Sequence, residues 1–214
     1  MSNEPVESTR FDRRRAKTRA SLVSAAQTFL AEGQTGVPIQ KVTERADVGI
    51  GTFYNHFASK EELFEVAVRE AVETYAVVLD SFADDTSDAA ANFARSFRLT
   101  GRLQRVHPQT SRVLLAHAEE ISRSSSGIAA HARRDIAAAH DAGQFSVPDV
   151  DLAMVVVTGA MVELGRLLLD EPGRDAATTT DGVTKHVLLS LGMTHDRAST
   201  LCDQPLPDVP PLPM

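Results

Sequence analysis

Residues 37–60, VPIQKVTERADVGIGTFYNHFASK, constrain the fold more than any other part of this chain. Phe53 and Phe57 are four residues apart, so a short helix over residues 50–57 would bury both on one face. Asp47 lies just before this helix, where the apolar period breaks, and aspartate tolerates the left-handed backbone of a tight turn. A shorter apolar stripe precedes the turn, at Ile39, Val42 and Ala46. The pattern therefore predicts two small packed helices joined by a turn.

The second of these helices is too short to be stable without packing on its neighbours, and too small to hide its remaining side chains. It therefore holds a fixed outer face of hydroxyl, amide and imidazole groups. Ser59 and Glu62 follow with the spacing of a capping box, which starts a third and longer helix. Two packed helices whose second member exposes short polar groups are typical of a helix-turn-helix, which inserts that member into the major groove of DNA.

The run GTFYNHFASKEEL, with the preceding Ala46-Asp47-Val48 and an earlier helix carrying Leu22, Ala25, Ala26 and Phe29, resembles the TetR family of transcriptional regulators. The resemblance covers about residues 15–75. It implies an all-α protein, in which a three-helix DNA-binding domain at residues 11–75 (helix-turn-helix at 38–57) precedes a larger helical domain for ligand binding and dimerisation at 76–200. Residues 1–10 would form a disordered tail and 201–214 a proline-rich tail. The alternative is a helical hairpin whose aromatic residues only fill a core.

The same resemblance implies which residues contact DNA. Thr52, Tyr54 and His56 match positions that face DNA, and Lys60 matches a phosphate-contacting lysine. Ile50 matches a variable base-facing position and would suit a thymine methyl group, although a stray surface apolar residue is an equal alternative. The predicted contacts within and after the helix are Ile50, Gly51, Thr52, Tyr54, Asn55, His56 and Lys60, with Asn55 suited to pairing with adenine.

The charge of the chain is unevenly distributed, and this asymmetry also favours DNA binding at the N-terminal end. The net charge is −7, but residues 1–60 hold nine Lys/Arg and six Asp/Glu, net +3, which leaves thirteen and twenty-three, net −10, for residues 61–214. Six basic residues and one acidic residue lie within residues 10–19. Basic side chains supply the sequence-independent part of DNA affinity. We expect Arg13, Arg14 and Arg15 to contact phosphates, the alternative being a solvated tail.

Beyond residue 58 the apolar period predicts helices at about 59–82, 89–106, 109–122, 128–142, 150–170 and 181–191. We interpret Arg95, Arg98, Arg102 and Arg105 as a solvated face, with an anionic effector or acidic neighbours as the alternatives.

The pairs His117/Glu120 and His131/Asp135 have metal-compatible spacing, but such pairs are common by chance and we expect no metal or other cofactor. The residues predicted to line an effector pocket are Phe93, Phe97, Leu114, His117 and Met154.

Residues 152–162 are apolar on nearly every side, so their helix requires cover on more than one face. The resemblance implies a two-fold dimer in which the last two apolar helices of each subunit form a four-helix bundle. Burial of both helices within one subunit is the alternative. The predicted dimer residues are Leu152, Val156, Gly159, Leu167, Val183, Val187, Leu188 and Leu191.

Several classes of protein fit this sequence poorly. The single cysteine, Cys202, excludes an internal disulfide framework, the N-terminal segment lacks the apolar core of a signal peptide, and residues 152–162 are too few to span a bilayer. We therefore expect a cytoplasmic protein with no membrane partner. No catalytic motif is present, so we expect no enzyme activity.

The prediction is a homodimeric DNA-binding transcriptional regulator, a repressor released from a palindromic operator of double-stranded DNA by a small-molecule effector. Two alternatives stay open. One is an effector-independent architectural DNA-binding protein, and the other is an enzyme in the C-terminal domain that uses His107, His117 or Arg102.

Overall fold

The computed structural model describes residues 10–80, 88–123 and 127–207, and these ranges are helical with no β-strand. The chain divides into two compact units, one ending at Glu70 and the other beginning at Ala71, a few residues before the boundary predicted at 75. The helices are α1 Arg10–Ala31, α2 Ile39–Arg45, α3 Ile50–Tyr54, α4 Lys60–Asp80, α5 Ala89–Val106, α6 Pro108–Ala116, α7 Ala118–Arg123, α8 Gly127–Asp141, α9 Val150–Asp170, α10 Ala176–Ser190 and α11 His195–Asp203.

The first unit is a small bundle in which α1, α2, α3 and the start of α4 share one core. Its buried side chains include Leu22, Phe29, Val42, Phe53 and Leu63. The turn between α2 and α3 contains Asp47 at φ 54°, in the left-handed region that the sequence predicts. The amide of Val48 donates to the Thr43 carbonyl (3.0 Å) and closes the turn. These contacts fix the direction in which α3 leaves the turn.

The predicted capping box is present at the start of α4, with one change of partner. The Glu62 amide donates to Ser59 Oγ (3.1 Å), and the Glu62 carboxylate accepts from the amide of Ala58 (2.7 Å) rather than from that of Ser59. Both bonds satisfy amides that a helix start leaves without partners. They therefore fix the segment that joins α3 to α4.

The second unit is organised around α5, which packs against α8, α9, α10 and α11. The core holds large side chains from each of these helices, among them Phe93, Ile136, Leu168, Leu188 and Leu201. Gly101 lets α5 approach α10 closely, since a Cβ at this position would lie 2.5 Å from Thr180 Cγ2. Burial of these apolar side chains is the main source of the stability of the second unit.

The interpretation of the α5 arginines as a solvated face is wrong for three of the four. Arg98 is only 4% exposed and donates through Nε to Asp181 of α10 (2.8 Å) and through Nη1 to the Leu201 and Gln204 carbonyls. Arg102 also bonds Asp181, with its Nη2 2.8 Å from Oδ2. Arg105 donates to the carbonyls of Glu171 and Arg174. These arginines join α5 to the C-terminal part of the chain, and the buried guanidinium of Arg98 in particular requires these acceptors.

Four element boundaries differ clearly from the predictions. Helix α3 ends at Tyr54, so residues 55–57, predicted as its last residues, lie after it. The single helix predicted at 109–122 is two helices that meet at His117, whose Nδ1 lies 2.9 Å from the Val113 carbonyl. Helix α10 begins at Ala176, five residues before the predicted start, because the Asp175 carboxylate accepts from the Thr178 amide (2.6 Å) and caps it. Cys202 lies in α11 and is buried, so the residues predicted as the start of the proline-rich tail are part of the core.

Some predictions concern residues outside the described ranges. The N-terminal tail falls there except for its last residue, and so do residues 208–214 of the C-terminal tail. Among the described helices, only α9 is long and apolar enough to cross a bilayer by length and composition. A core helix of a soluble protein meets the same criterion, and six residues of α9 are buried in the second unit, so this is weak support for a membrane span.

Candidate nucleic-acid interface and ligand cavity

The segment formed by α3 and the residues just after it has one buried face and one exposed face, as Phe53 and Phe57 predict. Phe53 and Phe57 are almost completely buried, with ring centroids 6.0 Å apart. On the other side Ile50 is 46% exposed and Tyr54 is 58% exposed. Tyr54 packs edge-on against Phe53, with centroids 5.2 Å apart, so the base of its ring is supported while its hydroxyl faces solvent. The helix therefore presents an isoleucine and a tyrosine on a fixed support.

The remaining predicted contacts of this segment flank that exposed face. Gly51 and Asn55 are exposed, and Thr52 and His56 are partly exposed. Asn55 caps the C-terminal end of α3, and His56 follows it outside the helix. Glycine at the N-cap, Gly49, supplies no side-chain hydrogen bond. Hydroxyl, amide and imidazole groups at these positions can bond phosphate oxygens or base edges.

A hollow lies between the N-terminal part of α1 and the end of α3 in the first unit. Its lining includes two of the three predicted arginines, Arg14 and Arg15; Arg13 is exposed but does not line it. The sequence analysis did not predict Phe11, which is 73% exposed, or Thr18 as residues of this site. Both lie on the same face of α1 as Arg14 and Arg15, at helical spacing, and that spacing could have identified them. The full lining is Phe11, Arg14, Arg15, Thr18, Asn55 and His56.

His56 has a lowered pKa for two reasons. Partial burial disfavours the imidazolium, and the positive charges of Arg15 and then Arg19 disfavour it further. The ring is therefore neutral at pH 7 in the free protein. A cluster of cationic and polar groups around a hollow is suited to an anion such as a phosphate.

Two basic side chains of this unit are engaged in structural contacts. Arg19 pairs with Glu70 (2.6 Å) and lies over the ring of Phe57, 5.4 Å from its centroid. Arg45 pairs with Glu32 (3.2 Å), and its guanidinium lies 4.5 Å from the Phe29 centroid. These pairs brace α1 against the middle of α4, and the end of α1 against α2.

Lys60 has contacts that the sequence did not predict. Its Nζ donates to the carbonyls of Thr35 (3.2 Å) and Val37 (3.3 Å), in the connection between α1 and α2. An ammonium has three donors, so one is left for a phosphate. Lys60 therefore ties this connection to the start of α4, whether or not it also contacts DNA.

The second unit contains a cavity of about 410 Å³ between α5, α8 and α9. Four of the five predicted effector residues line it, namely Phe93, Phe97, Leu114 and Met154. His117 does not: its ring is held to its own helix turn by the bond to Val113, so this prediction is wrong for the cavity. The sequence missed the following lining residues: Tyr75, Asn92, Arg95, Ser96, Thr100, Gln104, Leu115, Ala118, Ile121, Ser122, Ile128, Ala129, His131, Ala132, Arg134, Asp135, Val157, Thr158, Met161 and Val162.

The polar groups of the cavity differ in how well their hydrogen bonds are satisfied. The Tyr75 hydroxyl is 2.5 Å from Ser111 Oγ, and Ser111 donates to the His107 carbonyl. Burial raises the pKa of Tyr75 well above its usual range, so the phenol stays protonated. Gln104 is only 3% exposed, and its Oε1 has no partner within the described chain. Burial also raises the pKa of Asp135, against the opposing effect of Arg134 and then His131.

Helix α9 has an exposed apolar face, which contains part of the predicted dimer set. Leu152 and Val156 are exposed, and so is the neighbouring Val155 at 70%. Gly159 is open on this face, with nothing within 4 Å of a Cβ built on it. Leu167 and Val183 are partly buried.

Three residues of the predicted dimer set belong to the core of their own subunit. Val187, Leu188 and Leu191 are at most 3% exposed. A side chain that is completely packed inside one subunit has no surface to offer a second. The prediction that these three contact a partner is therefore wrong, and the apolar stripe of α10 faces α5.

No group of three or more His, Cys, Asp or Glu side chains within residues 10–80, 88–123 and 127–207 is arranged to hold a metal ion. His131 and Asp135 both line the cavity, whereas His117 lies elsewhere.

Comparison with known proteins gives matches in both units. The family model described as bacterial regulatory proteins, tetR family, matches residues 22–67, and that described as tetracyclin repressor-like, C-terminal domain, matches residues 88–203. The HTH-type transcriptional regulator RutR of Escherichia coli (strain K12) is 31% identical over 98 residues, which cover 46% of each protein. The HTH-type transcriptional repressor DhaR of Mycobacterium sp. (strain GP1) is 35% identical over 74 residues, 34% of this chain and 37% of DhaR. The chain thus spans less than half the length of these relatives.

Two solved structures extend the similarity along the chain. RolR in complex with the ligand resorcinol is 27% identical, with a TM-score of 0.60 over 92% of this chain and 99% of RolR. A gamma-butyrolactone receptor described as ArpA-like is 18% identical, with a TM-score of 0.65 over 88% of this chain and 96% of the receptor. At that identity the second similarity concerns the fold alone.

Proposed function

From the premise that this chain belongs to the TetR family of bacterial regulatory proteins, we propose that it is a transcriptional repressor whose affinity for a palindromic operator is lowered by a small molecule. The observation that carries the proposal is the exposed face of α3. Tyr54 and Ile50 lie outward on a helix that the buried side chains of Phe53, and of Phe57 just after the helix, hold in place. Side chains held outward in this way on the second helix of a helix-turn-helix are suited to contact base edges and phosphates.

In this proposal, α3 enters the major groove and its neighbours hold the DNA backbone. Ile50 contacts a base, most simply a thymine methyl group, Tyr54 bonds a phosphate, and Thr52 bonds a phosphate or a base edge. The hollow formed by Arg14, Arg15 and the segment after α3 receives a phosphate. The backbone contacts supply affinity that depends on salt, and Ile50 supplies sequence preference.

The operator is palindromic because the regulator acts as a two-fold dimer, as regulators of this family do. We propose the exposed face of α9, with Leu152, Val155, Val156 and Gly159, as the centre of the interface. A contiguous exposed apolar face is costly in water and is typical of an interaction site. Each subunit then places one α3 in one half-site, with half-site centres about 34–36 Å apart or a multiple of this distance.

The cavity in the second unit is the proposed effector site. Its volume of about 410 Å³ lies in the range of small-molecule sites, which is about 300–1,000 Å³. RolR was solved with resorcinol in complex, which supports a small organic effector here. A coupling of about 1–3 kcal/mol would lower operator affinity roughly 5- to 150-fold. An architectural protein that responds to no effector has no need of this cavity.

The catalytic alternative has less support. His117 and Arg102 are engaged in contacts outside the cavity, and His107 does not line it. We propose a cytoplasmic regulator, in line with its family.

Footprinting on genomic fragments tests the proposal. The wild-type protein should protect a palindromic site, and Tyr54→Ala should weaken protection at every site alike because it removes a backbone contact. The absence of any protected fragment would contradict the proposal.

A further inference from the structure

We infer that the cavity takes an uncharged, flat ligand that carries a hydroxyl group, and that Gln104 is the residue that selects this hydroxyl. The inference rests on the proposed function, since it concerns the effector site of the second unit. It depends on three features of the described residues: an unsatisfied polar atom, the position of the charged groups, and the aromatic wall.

The first feature is the state of the Gln104 amide. Its Oε1 is buried without a hydrogen-bond partner, and its Nε2 has only the sulfur of Met161 at 3.8 Å. An unsatisfied amide in a dry interior costs free energy, and such groups are rare in native structures. Rotating the amide by 180° exchanges its two polar atoms and leaves the nitrogen without a strong partner instead. A hydroxyl both donates and accepts, so it satisfies either arrangement.

The second feature is the placement of the charged lining groups relative to Gln104. Arg95 precedes Gln104 by nine residues on α5, which places their backbones about 13 Å apart along the helix axis. The other charged lining residues, Arg134 and Asp135, are on α8. Arg98, Arg102 and Arg105 are held by Asp181 and backbone carbonyls. The neighbours that the structure shows at the Gln104 amide, Met161 and Gly165, are uncharged, which favours an uncharged ligand group at this position.

The third feature is the shape of the cavity, with one end closed beside Gln104 and an aromatic wall further along α5. A Cβ built on Gly165 of α9 would lie 3.0 Å from Gln104 Cδ and 3.0 Å from Leu115 Cδ2, so α9 closes tightly over this end of the cavity. Phe93 and Phe97 form a tilted ring pair, with centroids 6.0 Å apart, in the cavity wall. Aromatic walls favour a flat apolar body. Gln104 then fixes the orientation of that body through its hydroxyl.

A pair of matched probes tests the inference without DNA. 2-Naphthol and 2-methylnaphthalene have nearly the same shape and differ in the hydroxyl, and 2-naphthoate adds a charge. We expect calorimetry on the full chain to give about tenfold tighter binding of 2-naphthol than of 2-methylnaphthalene. 2-Naphthoate should bind more weakly than 2-naphthol.

Two variants show whether Gln104 causes the preference. Gln104→Leu keeps the side-chain volume and should make 2-naphthol and 2-methylnaphthalene bind alike. The matched control is Thr184→Val, which changes a buried hydroxyl of α10 that lies outside the cavity lining and already donates to the Thr180 carbonyl (2.8 Å). This control should keep the tenfold preference.

Three results would overturn the inference. They are equal binding of the two probes to the wild-type protein, a preference that survives in Gln104→Leu, and failure of every probe to bind. Footprinting of the same preparation keeps the two proposals separate. Operator protection without probe binding would reject this inference alone, and Gln104-dependent binding without a protected site would reject the regulator alone.

Discussion

Because Arg98 and Arg102 both pair with Asp181, we expect the substitution Asp181→Ala to lower the free energy of unfolding by an unusually large amount. The carboxylate is 27% exposed and receives Arg98 Nε at 2.8 Å and Arg102 Nη2 at 2.8 Å. After its removal Arg98, 4% exposed, keeps only the Leu201 and Gln204 carbonyls as acceptors. A buried positive charge would then have no counter-charge, apart from what solvent supplies.

The expected magnitude follows from the burial of the pair. Breaking a buried ion pair costs about 3–5 kcal/mol, because the remaining charge stays desolvated. Asp181 is partly exposed and Arg98 retains two carbonyl bonds, so the lower limit, about 3 kcal/mol, applies here. For a domain of roughly 150 residues each kcal/mol lowers Tm by about 2–4 °C, which gives about 6–12 °C.

Thermal unfolding followed by circular dichroism measures this change, at one protein concentration because dimerisation also affects stability. The matched control is Glu119→Ala, which breaks the exposed Glu119–Arg123 pair of α7, where both side chains are more than 70% exposed. Such pairs contribute about 0–1 kcal/mol. An Asp181→Ala shift no larger than that of the control would refute the reasoning about burial.

Three further predictions concern the proposed interfaces. Lys60→Ala should weaken DNA binding and flatten the slope of log association constant against log salt concentration by roughly one unit. Weaker binding with an unchanged slope would mean that Lys60 contacts only the Thr35 and Val37 carbonyls and no phosphate. The pKa of His56 is lowered in the free protein and should rise beside a phosphate, so binding takes up a proton. Operator affinity should therefore increase as pH falls from about 7.5 to 5.5, less so in His56→Gln, and equal pH profiles would exclude the contact. Val156→Asp should yield monomers in sedimentation experiments, and an intact dimer would locate the interface elsewhere.

The parts of the fold that the sequence predicts best depend on local patterns. The bounds of α5 and α9 follow from apolar periods that end at His107-Pro108 and Pro172-Gly173. The turn at Asp47 and the buried face of α3 follow from single residues with strong preferences. Each of these signals lies within about two helical turns of the structure it determines.

The features that the sequence did not predict depend on distant partners. Arg98 is buried because Asp181, 83 residues later, lies opposite it. The stripe of Val187 and Leu188 has the same appearance whether it faces its own subunit or another, and only the fold shows that α5 covers it. Helix α11 was not predicted because the proline-rich residues that directly follow it indicated an extended tail.

The candidate sites follow the same division. Four cavity residues were predictable as large apolar side chains on inward helix faces. The sequence analysis did not name Gln104, although the sequence contains a signal for it. Gln104 continues the inward-facing period of Phe93, Phe97 and Thr100 on α5. A polar residue in such a period marks either a structural hydrogen bond or a ligand contact, and its unsatisfied Oε1 favours the second.

The measurement that tests the central claim most directly is selection of binding sites from a random DNA duplex pool by the wild-type protein and by Ile50→Thr. If α3 reads bases, the wild-type protein will select a palindrome, and the variant will select one that differs at one symmetric position per half-site. Selection of the same sequence by both proteins, or of none by either, would contradict the claim that this exposed face reads DNA.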